Sequence, residues 1–260
     1  MKEEKTFLDK DGVLHCGICG EPMERILLEP VLERTRFPRA CACRRAEMEQ
    51  LEKEMKARQH DAVVSAIRAA CFREKSMCQC TFEKDDGTVP AMEKARRYVE
   101  NWDKMRKENI GLLLWGGVGS GKTYMAAAIA NALIDEEVRV MMTDFATISN
   151  ISLFDAKEYI SALVSYDLLI LDDLGAERNS EFAMQNVFDV INRRWESGKP
   201  MIITTNLTLE QMREAERVDM NKQRIYDRIL DICKPVLVDG SSKRIESGHK
   251  KMEILREVFE

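Results

Sequence analysis

Gly116-Gly117-Val118-Gly119-Ser120-Gly121-Lys122-Thr123 has the residue types and spacing of a phosphate cradle. Its glycines let successive backbone N–H groups turn toward one point, and a helix starting there adds its partial positive charge. Lys122 can then reach the β- and γ-phosphates of a nucleotide, and the Thr123 hydroxyl can ligate Mg²⁺. This Gly-x4-Gly-Lys-Thr pattern is a P-loop, and it is informative only between a strand and a helix. Leu112-Leu113-Leu114-Trp115 before it reads as a buried strand, and the run from Tyr124 to Leu133 reads as a helix. Tyr124 is grouped with Gly116 to Thr123 as part of the nucleotide-binding set.

Leu168-Leu169-Ile170-Leu171 followed by Asp172-Asp173 has the Walker B form. Asp172 at the strand tip can hold Mg²⁺, directly or through water. Asp173 can accept a proton from the attacking water or orient it. Asp is one methylene shorter than Glu, which points to slow hydrolysis or a water-bridged geometry, and Glu177 is a reserve base. Met201 to Thr205 reads as a further strand ending at Asn206. Ligands of parallel sheets sit at the carboxyl ends of strands, which would place Asn206 near the γ-phosphate. A loop-capping Asn is the plainer alternative.

A third constellation is Cys16-Gly17-Ile18-Cys19, followed by Gly20, with Cys41-Ala42-Cys43 further on. Four thiolates suffice for a closed tetrahedral Zn²⁺ site, and metal would supply folding energy that so short a segment lacks. The second pair is tighter than the common CxxC, so free thiols in an unrelated turn stay open. Neighbouring His15 is a possible substitute ligand. Arg34, Arg36, Arg39, Arg44 and Arg45 surround the second pair, with Phe37 among them. Such a set can hold single-stranded nucleic acid through phosphates and base stacking, or form an ordinary solvated face. Cys78-Gln79-Cys80, with His60 distant, reads as small residues near a linker or as a second metal site.

The elements that must position these residues follow from periodicity. Residues 44–70 look helical, with Met48, Leu51, Met55, Ala62, Val63 and Ile67 at helical spacing, for a partner or for internal packing. Residues 90–109 form another expected helix. Strands at Val138–Met142, Leu168–Leu171, Met201–Thr205 and Val236–Val238 alternate with helices at Ala156–Val164, Phe182–Trp195 and Lys222–Ile232, as in a parallel α/β sheet. The charged tail from Ser241 can end in one more helix. Three regions result: a four-cysteine zinc-binding unit over 1–45, a helix and linker over 46–89, and the ATPase domain over 90–260.

The chain has 260 residues, 45% of them apolar, enough for one α/β domain and a smaller appendage. Its net charge of −5, from 40 basic and 45 acidic residues, argues against a whole-surface affinity for duplex DNA. No apolar run approaches the roughly 20 residues of a membrane span, and no apolar segment follows the charged N-terminus. The expectation is a cytoplasmic protein with no membrane partner, whose eight cysteines serve as metal ligands or buried thiols.

GGVGSGKT, LLILDDLG, IITTN and RIYDRI, in this order, resemble the DnaC/DnaI/IstB-like branch of the AAA+ ATPases over roughly residues 90–245. The resemblance implies a P-loop AAA+ three-layer parallel sheet flanked by helices, with the zinc-binding unit and its helix as an N-terminal addition. It implies an enzyme that hydrolyses ATP with Mg²⁺ and assembles into a homo-oligomer on binding it. It further implies delivery of a DnaB-like hexameric helicase onto single-stranded DNA. A transposition helper ATPase and a nucleotide-gated adaptor with negligible hydrolysis are the alternatives. The cysteine unit resembles the N-terminal part of helicase loaders and not that of the transposition helper. The family's arginine finger falls on Arg228, with Arg224 one turn before it, and its sensor-2 arginine falls on Arg244.

Overall fold

Buried strands that alternate their side chains between two apolar layers build the larger part of this protein. The structure is a computed structural model and describes residues 6–27, 35–152, 154–176, 180–240 and 243–259. The chain divides into two compact units, 1–62 and 63–260.

In the larger unit, β5 (Gly111–Trp115), β6 (Val140–Asp144), β7 (Leu168–Leu174), β8 (Met201–Thr205) and β9 (Cys233–Leu237) form one sheet in the order β6-β7-β8-β5-β9. All its pairings are parallel. Leu112, Leu114, Leu168, Ile170 and Ile202 face one layer, which contains α2 (Met92–Glu100), α3 (Trp102–Lys107) and α4 (Lys122–Asp135). Leu113, Leu169, Leu171, Met201 and Ile203 face the other. That layer holds α5 (Phe145–Ser149), α6 (Ala156–Ser165), α7 (Glu181–Glu196), α8 (Leu209–Val218) and α9 (Met220–Ile232). The result is the three-layer AAA+ sheet expected from the sequence, with its inner strands β5, β7 and β8 apolar on both faces because both are covered.

Several elements differ from the sequence reading. The helix expected over 90–109 is two, α2 and α3, broken at Asn101, whose side chain donates back to the Arg97 carbonyl at 2.8 Å. Helices α5 and α8 were not foreseen. The first is capped by Asp144, and the second by a reciprocal Thr208–Gln211 capping box. Strand β9 starts three residues before Val236, with Pro235 inside it. As the outermost strand it can carry a proline that donates nothing to the ladder.

The smaller unit pairs β1 (Thr6–Leu8) with β2 (Leu14–Cys16) and β3 (Glu24–Leu27) with β4 (Thr35–Pro38), both antiparallel. Glu24 links them, accepting from the Leu14 N–H and from Arg36, each at 2.8 Å. The helix expected over 44–70 is α1 (Ala42–Cys71), whose residues 42–62 belong to this unit. Helix α10 (Lys243–Phe259) fulfils the expected C-terminal helix.

Arg194 on α7 is fully buried, and burial lowers its pKa to about 10. Its guanidinium donates to the carbonyls of Val164, Tyr166, Asp167 and Pro200 at 2.5–3.2 Å. One side chain thereby satisfies the end of α6, the entry to β7 and the turn before β8. Arg194→Met keeps the stem and strands those carbonyls. It should cost about 3–5 kcal/mol, since each unsatisfied buried group costs about 1–3 kcal/mol and some will find water. A urea unfolding series checks this, and a loss under about 1 kcal/mol would contradict it.

Candidate functional site

The P-loop joins β5 to α4 where the sheet's carboxyl ends meet the first turn of a helix. Gly116 has φ 152°, and a Cβ there would lie 2.3 Å from the Val238 carbonyl oxygen, so only glycine fits. Gly121 has φ 98° and is the N-cap of α4, which leaves the helix's first N–H groups facing the loop. The Ser120 hydroxyl is buried with no protein partner. Lys122 is buried too, and its ammonium donates to the carbonyls of Gly116 and Gly117 at 3.0 and 2.6 Å.

Beside the loop lies a cleft of about 300 Å³. It is lined by Val118, Gly119, Gly121, Lys122, Thr123 and Tyr124, and by Asp172, Asp173, Thr204 and Asn206. The fold therefore gathers most of the residues expected to handle the nucleotide. The Thr123 hydroxyl donates to both Asp172 oxygens, at 3.0 and 3.1 Å. Thr204 donates to Asp172 Oδ1 at 2.6 Å and accepts from the Asp173 N–H at 2.9 Å. Asn206 donates to Asp173 Oδ1 at 3.2 Å. Burial pushes the Asp172 carboxyl above the usual range. The Thr204 and Thr123 hydroxyls pull it back, and nearby Asp173 and Asp144 push it up again. Hydroxyl and carboxylate oxygens converging in this way are the hard donors Mg²⁺ takes. The amide-rich loop and the orphaned Ser120 hydroxyl suit a phosphate. Tyr124 ties the site to the segment before α2, donating to the Thr81 carbonyl at 2.8 Å.

Two features here were not read from sequence. Thr204 sits in an expected strand to which no role was attached, and a hydroxyl in an otherwise apolar buried run was the available signal. Asp172 also lines a second cavity of about 470 Å³ with Phe72, Arg73, Glu74, Met77 and Asp144. The partners there lie far apart in sequence, so no local pattern marks them.

The remaining expected residues lie elsewhere. Arg228 is on α9, with its guanidinium carbon 5.0 Å from the Phe188 ring centre and 5.6 Å from that of Trp195. Its Nη1 donates to the Arg224 carbonyl at 3.0 Å, and its Nε is buried without a partner. It does not line the cleft. Glu177 and the side chain of Arg244 lie outside the described residues, as does Arg34.

In the smaller unit the Sγ atoms of Cys16, Cys19, Cys41 and Cys43 all lie within 4.8 Å of one another. Tetrahedral zinc–thiolate bonds of about 2.3 Å put sulfurs about 3.8 Å apart, so the set fits Zn²⁺ with small adjustments. Backbone N–H groups of Glu21 and Cys43 draw the Cys19 thiol down to about 6, and bonding to Cys19 pushes Cys43 up to about 12. His15 is not in the cluster: its ring nitrogens face the Gly20 carbonyl at 2.8 Å and Asp9 at 2.9 Å. Among the described residues this is the one group of three or more His, Cys, Asp or Glu side chains close enough to share an ion. Cys71 is instead a buried core residue, with Cys78 and Cys80 packed against the same core. Of the basic residues nearby, Arg36 pairs with Glu24 at 2.8 Å and Arg45 with Glu21 at 3.0 Å, while Phe37 is exposed.

Comparison with known proteins agrees with this geometry. The sequence pattern of the family described as IstB-like ATP binding protein matches residues 41–251. The replicative helicase loader DnaI of Bacillus subtilis (strain 168) is 26% identical over 195 residues, covering 69% of this chain and 63% of that protein. The replicative helicase loader DnaC of Escherichia coli (strain K12) is 30% identical over 160 residues, covering 56% of this chain and 63% of that protein. The chain thus spans less than two thirds of these relatives' length. A solved structure of DnaI aligns with a TM-score of 0.57 at 26% identity, over 65% of this chain and 96% of that one. One of the DnaC helicase loader aligns with a TM-score of 0.53 at 22% identity, over 64% and 100%, a likeness of fold.

Two expectations follow. Lys122→Ala should weaken ATP binding at least about 100-fold, because it removes the cation that would face the β- and γ-phosphates. A binding titration with a fluorescent ATP analogue reads this, and retained affinity would contradict it. Elemental analysis should find one zinc per chain and none in Cys41→Ser. A zinc-free wild type with intact β-sheet signals would remove the metal from the smaller unit.

Proposed function

The chain belongs to the IstB-like ATP binding protein family, and from that premise we propose that it uses ATP and Mg²⁺ to load a DnaB-like hexameric helicase onto single-stranded DNA. The observation that carries the nucleotide half is the convergence of the P-loop, Thr123 and Asp172 on one cleft. In this reading the loop amides and Lys122 would hold the phosphates, and Thr123 and Asp172 would hold Mg²⁺, which would supply charge neutralisation there. Asp173 orients the attacking water and takes its proton, and Asn206 fixes the Asp173 carboxylate by the bond described above.

The loading half is supported by the names of the two replicative relatives and by the exposed apolar residues Met48, Leu51 and Met55 on α1. Their spacing puts them on one helix face, a surface for contact with the helicase. Cys16, Cys19, Cys41 and Cys43 would hold Zn²⁺, whose bonds replace the missing core of the smaller unit. Single-stranded DNA and a homo-oligomer formed on ATP binding complete the proposal. The trans-acting charge comes from α9, where Arg228 acts after leaving the Phe188–Trp195 pair. Exposed Arg224, one turn earlier, would need no such release. A second reading, an adaptor that binds ATP and hardly hydrolyses it, is favoured by the short Asp173 at the base position.

Three measurements test this. Size-exclusion chromatography with a purified hexameric replicative helicase and ATP should give a stable complex. Co-elution with a transposase instead would favour a transposition helper. Asp173→Asn should bind ATP while its turnover falls about 10²–10⁴-fold, the usual worth of a general base. An unstimulated wild-type rate indistinguishable from Asp173→Asn, with and without single-stranded DNA, would favour the adaptor. Arg228→Ala should retain ATP binding, lose ATPase activity on assembly, and recover part of it when mixed with Lys122→Ala protein. Full activity in Arg228→Ala alone would pass the role to Arg224.

A further inference from the structure

We infer that Thr204 is a positioning residue for the Mg²⁺-bound nucleotide, one buried hydroxyl that fixes both the carboxylate of Asp172 and the backbone of Asp173. The inference rests on the nucleotide reading above. Strands β7 and β8 run in register to Leu171 opposite Ile203, then resume at Leu174 opposite Thr205. From 171 to 174 is three steps and from 203 to 205 is two, so β7 carries one extra residue here. That residue is absorbed at Asp172–Asp173, where Asp173 takes φ 61°. A bulge of this kind removes an N–H from the ladder, and the N–H then needs another acceptor.

Thr204 is that acceptor. The Asp173 N–H can only donate, so the Thr204 oxygen accepts from it at 2.9 Å, and the single hydroxyl proton goes to Asp172 Oδ1 at 2.6 Å. Thr204 is 2% exposed, so its hydroxyl is held almost wholly within the protein at the wall of the cleft. The Thr123 hydroxyl also donates to Asp172, but its oxygen is the one that would serve the cation. Thr204 stays in place as the donor that aims the carboxylate. Asn206, two residues further along, holds the Asp173 side chain. The end of β8 therefore grips the acidic pair at three points: a carboxylate, a backbone N–H and a second carboxylate. Valine reproduces the shape of threonine and neither bond, whereas serine keeps both bonds.

The test compares Thr204→Val with Thr204→Ser in two readouts. In nucleotide-free protein, amide hydrogen exchange at Asp173, followed by NMR, should accelerate about tenfold or more in Thr204→Val, the worth of one lost buried hydrogen bond. In Thr204→Ser it should stay within about threefold of wild type. In a Mg²⁺ titration of ATP-analogue binding, the midpoint should rise about tenfold in Thr204→Val, with Mg²⁺-free affinity within about twofold, and Thr204→Ser should recover most of the difference. Equal Asp173 exchange in the two variants would overturn the inference, as would an equal loss of Mg²⁺-free and Mg²⁺-dependent binding in Thr204→Val. If the wild type shows no Mg²⁺-dependent binding, the nucleotide reading fails, and the amide exchange still decides what Thr204 does. Should Thr204→Val not fold, Thr204→Ala takes its place with the same expectations.

Discussion

A carboxylate at the buried end of a parallel sheet is the constraint around which this protein is arranged. Asp172 follows four residues of β7 that are wholly buried, on a sheet covered on both faces. An ionised group there is costly unless donors surround it. Two hydroxyls from different elements do so, Thr123 at the start of α4 and Thr204 on β8. Neither can be in place unless β5, β7 and β8 are aligned as they are. The same demand explains the bulge. The left-handed Asp173 costs about 1 kcal/mol, and a buried hydrogen bond from its N–H to Thr204 is worth about as much. The distortion is therefore nearly neutral in stability, and it places two adjacent carboxylates in the cleft.

Much of this was legible in the sequence because it is local. A P-loop between a strand and a helix, and an apolar run ending in Asp172-Asp173, each carry their meaning within a short stretch of chain. The sheet was legible too, since strands covered on both faces read as unbroken apolar runs. What escaped depends on contacts between distant segments. Thr204 owes its role to a register shift that no single strand reveals. Arg194 looks like any helix arginine in sequence, yet its four carbonyl partners come from two other connections. Helices α5 and α8 are short and begin at side-chain caps, and such signals are easily taken for turns. His15 stood next to Cys16 in sequence, but the bonds to Asp9 and Gly20 occupy its ring.

The two units solve the problem of stability differently. Residues 63–260 bury two large apolar layers. Among the described residues of the smaller unit, Cys16 and Cys41 are the buried apolar ones, and both belong to the sulfur cluster. Its stability then hangs on polar links such as Glu24 with Arg36 and Leu14, each worth about 1 kcal/mol net. Those sums fall well short of the cost of ordering the chain there. A metal ion bonding four thiolates is the kind of interaction large enough to close the gap.

Arg228 is held on α9 by contacts of unequal worth. Its guanidinium gains about 0.5–2 kcal/mol from the rings of Phe188 and Trp195. Its buried Nε makes no hydrogen bond, and an unsatisfied buried donor costs about 1–3 kcal/mol. The bond from Nη1 to the Arg224 carbonyl adds to what the rings give, and the empty Nε offsets part of that gain. Trp195 is also restrained independently, through its indole N–H to Asp231 at 2.7 Å, so the ring need not move when the arginine does. A charged partner arriving at α9 would supply the hydrogen bonds that Nε lacks, and a charge-assisted bond outweighs what the rings give up. The aromatic pair thus keeps a long cationic side chain ordered with one donor, Nε, unspent. In the proposed assembly that spare donor is what a phosphate held by another subunit would engage.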